Sequence, residues 1–220
     1  MSAVANDMKD LSTLQEARHA FMRELSPRLM LVAATSTAAA RLALGAVSAA
    51  DVIAVVGTIV CWCLFEWGAH VMLLHAKPRR VFGVEIDPLY ARIHRAHHEA
   101  PWRLDRVLVP ARFIVLAFAV TGLLALTAST SVRVGLTAWS TFCFAALAYE
   151  WTHFLVHTRH KPRSAVYRAI WRNHRLHHFK NENYWFGLST TLTDRVFGTD
   201  PDPTDVPTSS TTRSLGLEES

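Results

Sequence analysis

Four long stretches of the sequence are almost free of charged residues, and polar segments separate them. They cover residues 29–50, 52–75, 111–128 and 134–157. A helix needs about 20 apolar residues to cross the hydrocarbon core of a bilayer. Helices of soluble bundles keep a polar face, which these stretches mostly lack. The pattern therefore predicts an all-α integral membrane protein with four transmembrane helices, although nothing in the sequence explains Arg41 within the first of them.

The four predicted spans pair into two hairpins, because only short joints around residues 49–51 and 129–133 separate the members of each pair. The longer polar segments, 1–28, 76–112 and 158–198, contain 20 of the 23 Lys and Arg residues. Basic residues accumulate on the cytoplasmic side of a membrane. We therefore expect both termini and the two later polar segments to be cytoplasmic. Two hairpins of two spans each also place all of these segments on one side of the membrane.

The chain thus divides into a polar N-terminal segment (1–28), a membrane domain (29–198) and an acidic tail (199–220). The tail contains five acidic residues and three prolines, a composition typical of disordered segments, so we expect it to be disordered. A net charge of +5 can indicate nucleic-acid binding. Here the basic residues flank the predicted spans, which favours a membrane surface and no nucleic-acid partner.

Ten of the twelve histidines lie in two windows with the same plan, in which a pair at the end of a predicted span is followed by a His-x-x-His-His triplet. They are His70, His75, His94, His97, His98, His153, His157, His174, His177 and His178. Side chains three or four residues apart share a helix face, and imidazole binds Fe, Zn, Cu and Ni. Ten nitrogens exceed the needs of one ion, so the pattern predicts a cap holding two ions, with about five ligands each. We expect the histidines to act as ligands and expect no further catalytic residue.

The five-residue step from His70 to His75 fits a single helical face poorly. Either these two histidines reach different ions, or the helix unwinds locally at the membrane surface. The pairs His153 with His157, and His94 with either His97 or His98, fit one ion each without such a change.

Glu66 and Glu150 each lie one helical turn before a histidine. A carboxylate in this place can accept the second ring N–H of a metal ligand and fix its tautomer. The alternative is a carboxylate that faces cytoplasmic water, and the sequence does not separate the two. His160 is expected in a loop or behind the ligands.

This histidine set on four predicted spans resembles the fatty acid hydroxylase/sterol desaturase superfamily of membrane di-iron oxygenases. The four histidine motifs of that superfamily are matched by His70 and His75, by His94 to His98, by His153 and His157, and by His174 to His178. The segment Thr193 to Thr199 resembles its closing Trp-Asp-x-x-Phe-Gly-Thr motif, with Thr193 in place of Trp and Asp194 as a further supporting candidate. The segments that follow the two triplets, His97 to Pro101, Arg106 to Pro110 and His177 to Gly187, are similar to those of fatty acid 2-hydroxylases.

The resemblance implies two iron ions, which zinc can replace in a purified sample, and O2 as co-substrate. It implies hydroxylation or desaturation of a lipid, most simply a fatty acyl chain, in a bacterial inner membrane or the endoplasmic reticulum. No His-Pro-Gly-Gly haem motif is present, so we expect a separate electron donor such as cytochrome b5, or ferredoxin with its reductase.

Three other functions are also compatible with the sequence. A sterol or carotenoid oxidase or desaturase of the same superfamily shares most of these motifs. A non-catalytic zinc-binding membrane protein requires the same histidine spacing. A divalent-metal transporter also needs histidines, but its ligands are expected near the middle of the membrane, whereas these lie at the ends of spans.

Overall fold

Helices make up most of the chain in the computed structural model, which describes residues 7–216. The first six residues of the predicted N-terminal segment and the last four of the predicted tail lie outside the described residues. The α-helices are α1 (Leu14–Phe21), α2 (Leu25–Ala43), α3 (Ala49–Ala69), α4 (Leu89–Glu99), α5 (Leu104–Val107), α6 (Ala111–Ala128), α7 (Val132–Val156), α8 (Ala165–Phe179) and α9 (Leu192–Val196). A π-helical turn (His70–Leu74) continues α3, and two strands, β1 (Arg79–Val81) and β2 (Val84–Ile86), form an antiparallel hairpin. Short 3-10 turns cover Met8–Asp10 and Pro203–Asp205.

Three helical stretches are long and apolar enough to cross a membrane, namely Ala49–Leu74, Leu104–Ala128 and Val132–Val156. They correspond to the second, third and fourth predicted spans. Helix α2, which covers the first, is not among the three. It contains Arg41 and several Ser and Thr residues, and it ends at Ala43, short of the predicted boundary at residue 50, just before Gly45 with φ of 104°.

The two strands are an exception to the predicted all-α fold. Val81 and Val84 flank a Phe82-Gly83 turn in which both residues have positive φ, 49° and 81°. Such a turn matches the twist of a hairpin, and β-branched valines favour strands. The fold is therefore mostly helical, with one two-stranded hairpin.

The described chain divides into two compact units. The first, here called the histidine unit, comprises residues 7–14, 63–107 and 153–216 and contains all ten clustered histidines. The second, here called the helix unit, comprises Gln15–Trp62 and Leu108–Thr152.

The helix unit has an apolar core of small and medium side chains. Its buried members are Met30, Ala34, Ile114, Phe118, Cys143 and Ala146. Gly135 in α7 allows close packing, because a Cβ atom there would lie 2.6 Å from the carbonyl oxygen of Ala125 in α6. Small residues at helix contacts are a common feature of membrane helix packing.

Arg41, which the sequence left unexplained, is neutralised within the helix unit. Its Nη2 and Nε atoms lie 2.6 and 2.7 Å from the carboxylate oxygens of Asp51, and its Nη1 donates to the carbonyl oxygen of Gly45. Asp51 also accepts hydrogen bonds from Thr137 and Ser48. The first turn of α3 thus supplies the partner that lets a buried arginine remain charged.

This network predicts a specific order of stabilities. Asp51→Leu and Arg41→Met each leave one buried charge without its partner, whereas the double variant leaves neither. We expect each single variant to lower the melting temperature of the detergent-purified protein by several degrees, and the double variant to recover much of the loss. A double variant that melts below both single variants would contradict this account of the pair.

The tail differs from the predicted disordered segment. Val206 and Leu215 are buried, and the amide of Ser209 donates to the carbonyl oxygen of Lys180 at 2.7 Å. The hydroxyls of Ser209 and Thr211 both bond to Glu182. Two apolar side chains and this hydroxyl–carboxylate contact attach residues 199–216 to the rest of the histidine unit, although the composition is that of a disordered tail.

The first described residues, 7–14, also pack onto the rest of the histidine unit. Met8 is fully buried, and its amide donates to the carbonyl oxygen of Trp102 at 2.8 Å. The carbonyl oxygen of Leu11 accepts a hydrogen bond from the amide of Arg159. Both ends of the described chain therefore contribute to the unit that contains the histidines.

Candidate metal centre

The ten clustered histidines form two groups of five within the histidine unit. Group one consists of His70, His75, His94, His98 and His177, and group two of His97, His153, His157, His174 and His178. In each group, one nitrogen from every ring lies within 4.8 Å of the others. All of these side chains are buried except His75, which is half-buried. The structure thus brings together the residues predicted as ligands in sets of the predicted size.

Helices α4 and α8 distribute their triplets between the two groups in opposite ways. In α4, His94 and His98 are four residues apart and join group one, while His97 joins group two. In α8, His177 joins group one and the other two join group two. Of the two pairings open to His94, the structure therefore has His98.

The π-helical turn accounts for the five-residue step at the end of α3. The amide of His75 donates to the carbonyl oxygen of His70 at 3.2 Å, which is the hydrogen bond expected between residues five apart in a π-helix. This wider turn places His70 and His75 in the same group. Local unwinding, rather than ligation of two different ions, is the alternative that the structure adopts.

Backbone carbonyl groups fix three rings of group one. In each, Nδ1 lies 2.8 Å from a carbonyl oxygen, pairing His70 with Phe186, His98 with Thr212, and His177 with Tyr184. A carbonyl oxygen only accepts hydrogen bonds, so each Nδ1 must bear the hydrogen. In the neutral ring, Nε2 then bears a free lone pair, which is the atom available to a metal ion.

These lone pairs converge on one space. Nε2 of His94 lies 3.2 Å from Nε2 of His70, 3.2 Å from that of His98 and 3.3 Å from that of His75. One ring N–H cannot satisfy three neighbouring acceptors. Nε2 of His177 is buried and has no hydrogen-bond partner among the described residues. A cation at the centre would satisfy all of these atoms, so the donor set fits a transition-metal ion.

Group two has the same crowding with fewer fixed rings. Nε2 of His174 lies 3.1 Å from that of His157 and 3.0 Å from that of His178, and His153 and His97 approach at 3.0 Å. The Nδ1 atoms of His97, His174 and His178 are buried without a hydrogen-bond partner in the described part of the chain. The protein therefore fixes the tautomers of group two less firmly than those of group one.

Burial keeps these imidazoles neutral. It lowers the pKa of His98 to about 3, and it lowers the pKa of His94 and His174 well below the usual value, with nearby histidines contributing in the same direction. The neutral ring is the form that binds metal ions. At neutral pH both groups therefore present uncharged nitrogen ligands.

Comparison with known proteins supports the resemblance seen in the sequence. Residues 55–199, well over half of the chain, match the profile of the fatty acid hydroxylase family. The chain belongs to the fatty acid hydroxylase family.

Individual family members are 25–29% identical to this chain over the aligned residues. A dihydroceramide fatty acyl 2-hydroxylase of Arabidopsis thaliana is 25% identical over 147 residues, which cover 65% of this chain and 58% of that protein. A fatty acid 2-hydroxylase of Macaca fascicularis is 29% identical over 144 residues, 64% of this chain and 37% of that protein. The match thus spans little more than half of the first relative and about a third of the second.

A solved structure has the same fold. The structure of full-length scs7p, in which only the hydroxylase domain is visible, aligns with a TM-score of 0.69 and 26% sequence identity. The alignment covers 84% of this chain and 68% of that chain.

Two carboxylates predicted to support the ligands act through a loop instead. Asp194 accepts hydrogen bonds from the amides of Phe186 and Gly187 at 2.9 and 2.8 Å. Glu66, which is buried, accepts from the amides of Leu188 and Ser189. The loop 186–189, here called the clamp loop, includes the carbonyl group that fixes His70. Glu66 therefore does not face water, and it helps to position a ring without touching it.

The other two candidates for supporting the ligands, Glu150 and His160, do not contact the clamp loop in the hydrogen bonds described. Glu150 is fully buried in the helix unit, where it accepts a hydrogen bond from the amide of Val109 at 2.6 Å, so the water-facing alternative is wrong for it as well. Its predicted role in orienting a histidine stays a prediction. His160 lies in the loop after α7, its amide donates to the hydroxyl of Thr158, and it belongs to neither group.

The contributions of Tyr184, Phe186 and Thr212 were not foreseen, because these residues act through backbone carbonyl groups. Gly187 beside them gives a partial signal. A Cβ atom at this position would clash with the carbonyl oxygen of Thr190 and lie 3.0 Å from the Asp194 carboxylate. A glycine within a segment shared with fatty acid 2-hydroxylases could have indicated a close backbone approach.

Gly187 provides a test of the clamp loop. We expect Gly187→Ala to displace the loop and to reduce metal binding at group one by about tenfold or more, the effect typical of lost outer contacts. Metal content per chain after dialysis against a weak chelator measures this. Gly57 is the matched control, because a Cβ atom there meets nothing within 4 Å, so Gly57→Ala should retain its metal. Equal retention by both variants would contradict the proposed role of the loop.

The lowered histidine pKa values predict how stability depends on pH in metal-free protein. The unfolded chain takes up protons below about pH 6.5, whereas the folded imidazoles stay neutral down to much lower pH. The free energy of unfolding should therefore fall as pH decreases below 6.5, approaching about 1.4 kcal/mol per pH unit for each such histidine. Denaturant titrations of chelator-treated protein at pH 7.5, 6.5 and 5.5 measure this. Stability that is unchanged or higher at pH 5.5 would contradict it.

Proposed function

We propose that the protein is a membrane-bound di-iron oxygenase that hydroxylates a lipid, most simply a fatty acyl chain. The observation that supports this most directly is the pair of five-histidine groups with ring nitrogens directed inward. Family relatives described as fatty acid and dihydroceramide fatty acyl 2-hydroxylases favour the acyl chain as substrate and its 2-position as the site of attack. The activity is that of an oxidoreductase.

The overall reaction converts a C–H bond, O2, two electrons and two protons into C–OH and water. Group one would hold one iron ion and group two the other. Iron, when bound, supplies the redox chemistry with O2 that no side chain can perform. The electrons would come from a separate donor such as cytochrome b5, or ferredoxin with its reductase.

The chain's own residues would prepare this site in three ways. The buried imidazoles stay neutral and offer lone pairs, and the three backbone carbonyl groups hold rings of group one in the ligating tautomer. Glu66 and Asp194 hold the clamp loop that supplies one of those carbonyl groups. Burial of almost all ten rings excludes water from a centre that handles strong oxidants.

We further propose four membrane spans, with both termini and the metal centre on the cytoplasmic side of a bacterial inner membrane or the endoplasmic reticulum. Helix α2 would be the first of the four spans. Its 19 residues approach the length required, and Arg41 in its last turn is neutralised by Asp51. The basic polar segments favour the cytoplasmic side for the histidine unit.

The alternatives are less well supported by the geometry. A divalent-metal transporter is expected to place its ligands along a path through the membrane, whereas here two closed groups collect all ten histidines. A zinc ion that only stabilises the cap would fit the same nitrogens, so activity must be measured. A sterol or carotenoid substrate would require the same centre.

Ligand substitutions test the proposal. In cells that express the protein, we expect lipids with a mass increase of 16 from one added oxygen. His177→Ala in group one and His178→Ala in group two should each lower that product by more than about tenfold, because each removes a ligand. His19→Ala, on an exposed position of α1, is the matched control and should retain it.

Metal content and O2 consumption with a reductant separate the outcomes. Full product in both ligand variants, with folded protein, would refute the oxygenase proposal. Bound metal without O2 consumption in the unsubstituted protein would indicate a structural zinc centre. A mass decrease of 2 in place of the increase would indicate desaturation.

A further inference from the structure

The β1–β2 hairpin is amphipathic. Its strands pair in antiparallel register, with the Cα partners Arg79↔Ile86, Arg80↔Glu85 and Val81↔Val84. Side chains alternate between the faces of a strand, and paired residues share a face. One face therefore presents Val81, Val84 and Ile86, with Arg79 at its base, while the opposite face presents Arg80 and Glu85. We call the first of these the apolar face.

The apolar face and the tip of the hairpin are uncovered. Val84 is 64% exposed, Ile86 is 49% exposed and Val81 is 41% exposed. Phe82, at the tip, is fully exposed. An isolated two-stranded hairpin is at best marginally stable in water, and clustered exposed apolar side chains mark interaction surfaces. The hairpin thus has the character of a binding element.

The position of the hairpin in the chain indicates a lipid surface. β1 begins at Arg79, and only four residues separate it from Leu74, where a candidate membrane span ends. An extended chain covers at most about 3.6 Å per residue, so the hairpin must start within about 18 Å of that end. The headgroup region of one leaflet is about 5–8 Å deep, so a hairpin that starts this close to the end of a span can reach it.

The charges next to the apolar face favour an anionic membrane. Lys77 and Arg79 are exposed at the base of the hairpin, and Arg79 lies on the same face as the valines. Basic residues beside a span attract anionic headgroups, and an arginine stem can lie along apolar surface while its guanidinium reaches phosphate. A protein partner would not require this combination of a fully exposed aromatic tip and a basic base next to a span.

We propose that the hairpin is a lipid-docking element whose apolar face and Phe82 lie in the interfacial region of an anionic bilayer, with Lys77 and Arg79 contacting headgroup phosphates. The inference rests on the membrane setting in the proposed function. It adds a contact with the bilayer surface that is separate from the spans and from the metal centre.

Spin labels can measure the depth of each face of the hairpin. Phe82→Cys, Val84→Cys and Glu85→Cys are introduced one at a time into full-length protein in which Cys61, Cys63 and Cys143 are replaced by Ala, and the protein is reconstituted in phosphatidylcholine with 30% phosphatidylserine. Collision with O2 reports lipid, and collision with a water-soluble nickel chelate reports water. We expect the labels at 82 and 84 to favour O2 severalfold, and the label at 85, the matched control on the opposite face, to favour nickel.

Equal nickel access at positions 84 and 85 would overturn the proposal. An immobile label at 84 that neither reagent reaches would also overturn it, because a protein surface would then cover the apolar face. The readout requires neither metal nor turnover. An inactive protein whose hairpin lies in lipid would therefore refute the proposed function alone, and an active protein whose hairpin lies in water would refute this inference alone.

The charges have a test of their own. Omitting phosphatidylserine should raise nickel access at position 82 at least twofold, and Lys77→Gln/Arg79→Gln should remove that dependence. Arg213→Gln, an exposed charge in the tail, is the matched control and should keep it. An unchanged lipid dependence in the double variant would overturn the part of the proposal that concerns headgroups.

Discussion

Three hydrogen bonds from imidazole Nδ1 atoms to backbone carbonyl groups are the constraint on which the candidate metal centre depends. They fix which nitrogen of His70, His98 and His177 is free, and they direct those nitrogens into one space. The carbonyl groups come from the clamp loop and its neighbour Tyr184, and from the tail. This arrangement gives a role to the two buried carboxylates that hold the loop, and to the packing of the tail against the rest of the histidine unit.

The same constraint makes the two groups of histidines unequal. Group one is held by the backbone, whereas several rings of group two have a buried Nδ1 without a partner in the described chain. Ring nitrogens that face each other at 3.0–3.3 Å repel when both bear lone pairs, unless a hydrogen or a cation lies between them. Metal binding and folding of this unit should therefore be coupled, as in other centres whose ligands do not converge in the unfolded chain. Group two should depend more strongly on the metal for its order.

Much of this could be predicted from the sequence, because periodicity and spacing report on side chains. The doubled histidine plan indicated two sets of about five, and three of the predicted spans correspond to helices long and apolar enough to cross a membrane. Amino-acid composition gave the wrong prediction where a few specific contacts determine the local structure. Val206 and Leu215 attach a tail that is otherwise acidic, and Gly45 ends α2 early. The two valines and the Phe-Gly turn form a hairpin within a segment whose polar character alone suggested only a helical cap.

The features that the sequence could not reveal are mainly backbone features. Carbonyl groups are the same in every residue, so nothing distinguished Phe186 or Thr212 as a partner for an imidazole. The π-helical turn was one of two alternatives for the His70–His75 step, and only its hydrogen bond distinguishes them. Arg41 is paired with Asp51, ten residues later in the chain. A hydropathy profile counts these two residues as separate charges and does not show that they form an ion pair.

Each group of five histidines is proposed to bind one metal ion. Anomalous diffraction from crystals of the full-length, iron-loaded protein, collected on both sides of the iron absorption edge, tests it most directly. The account predicts two iron peaks per chain, one among the ring nitrogens of group one and one among those of group two. A single peak, or iron bound away from these histidines, would contradict it.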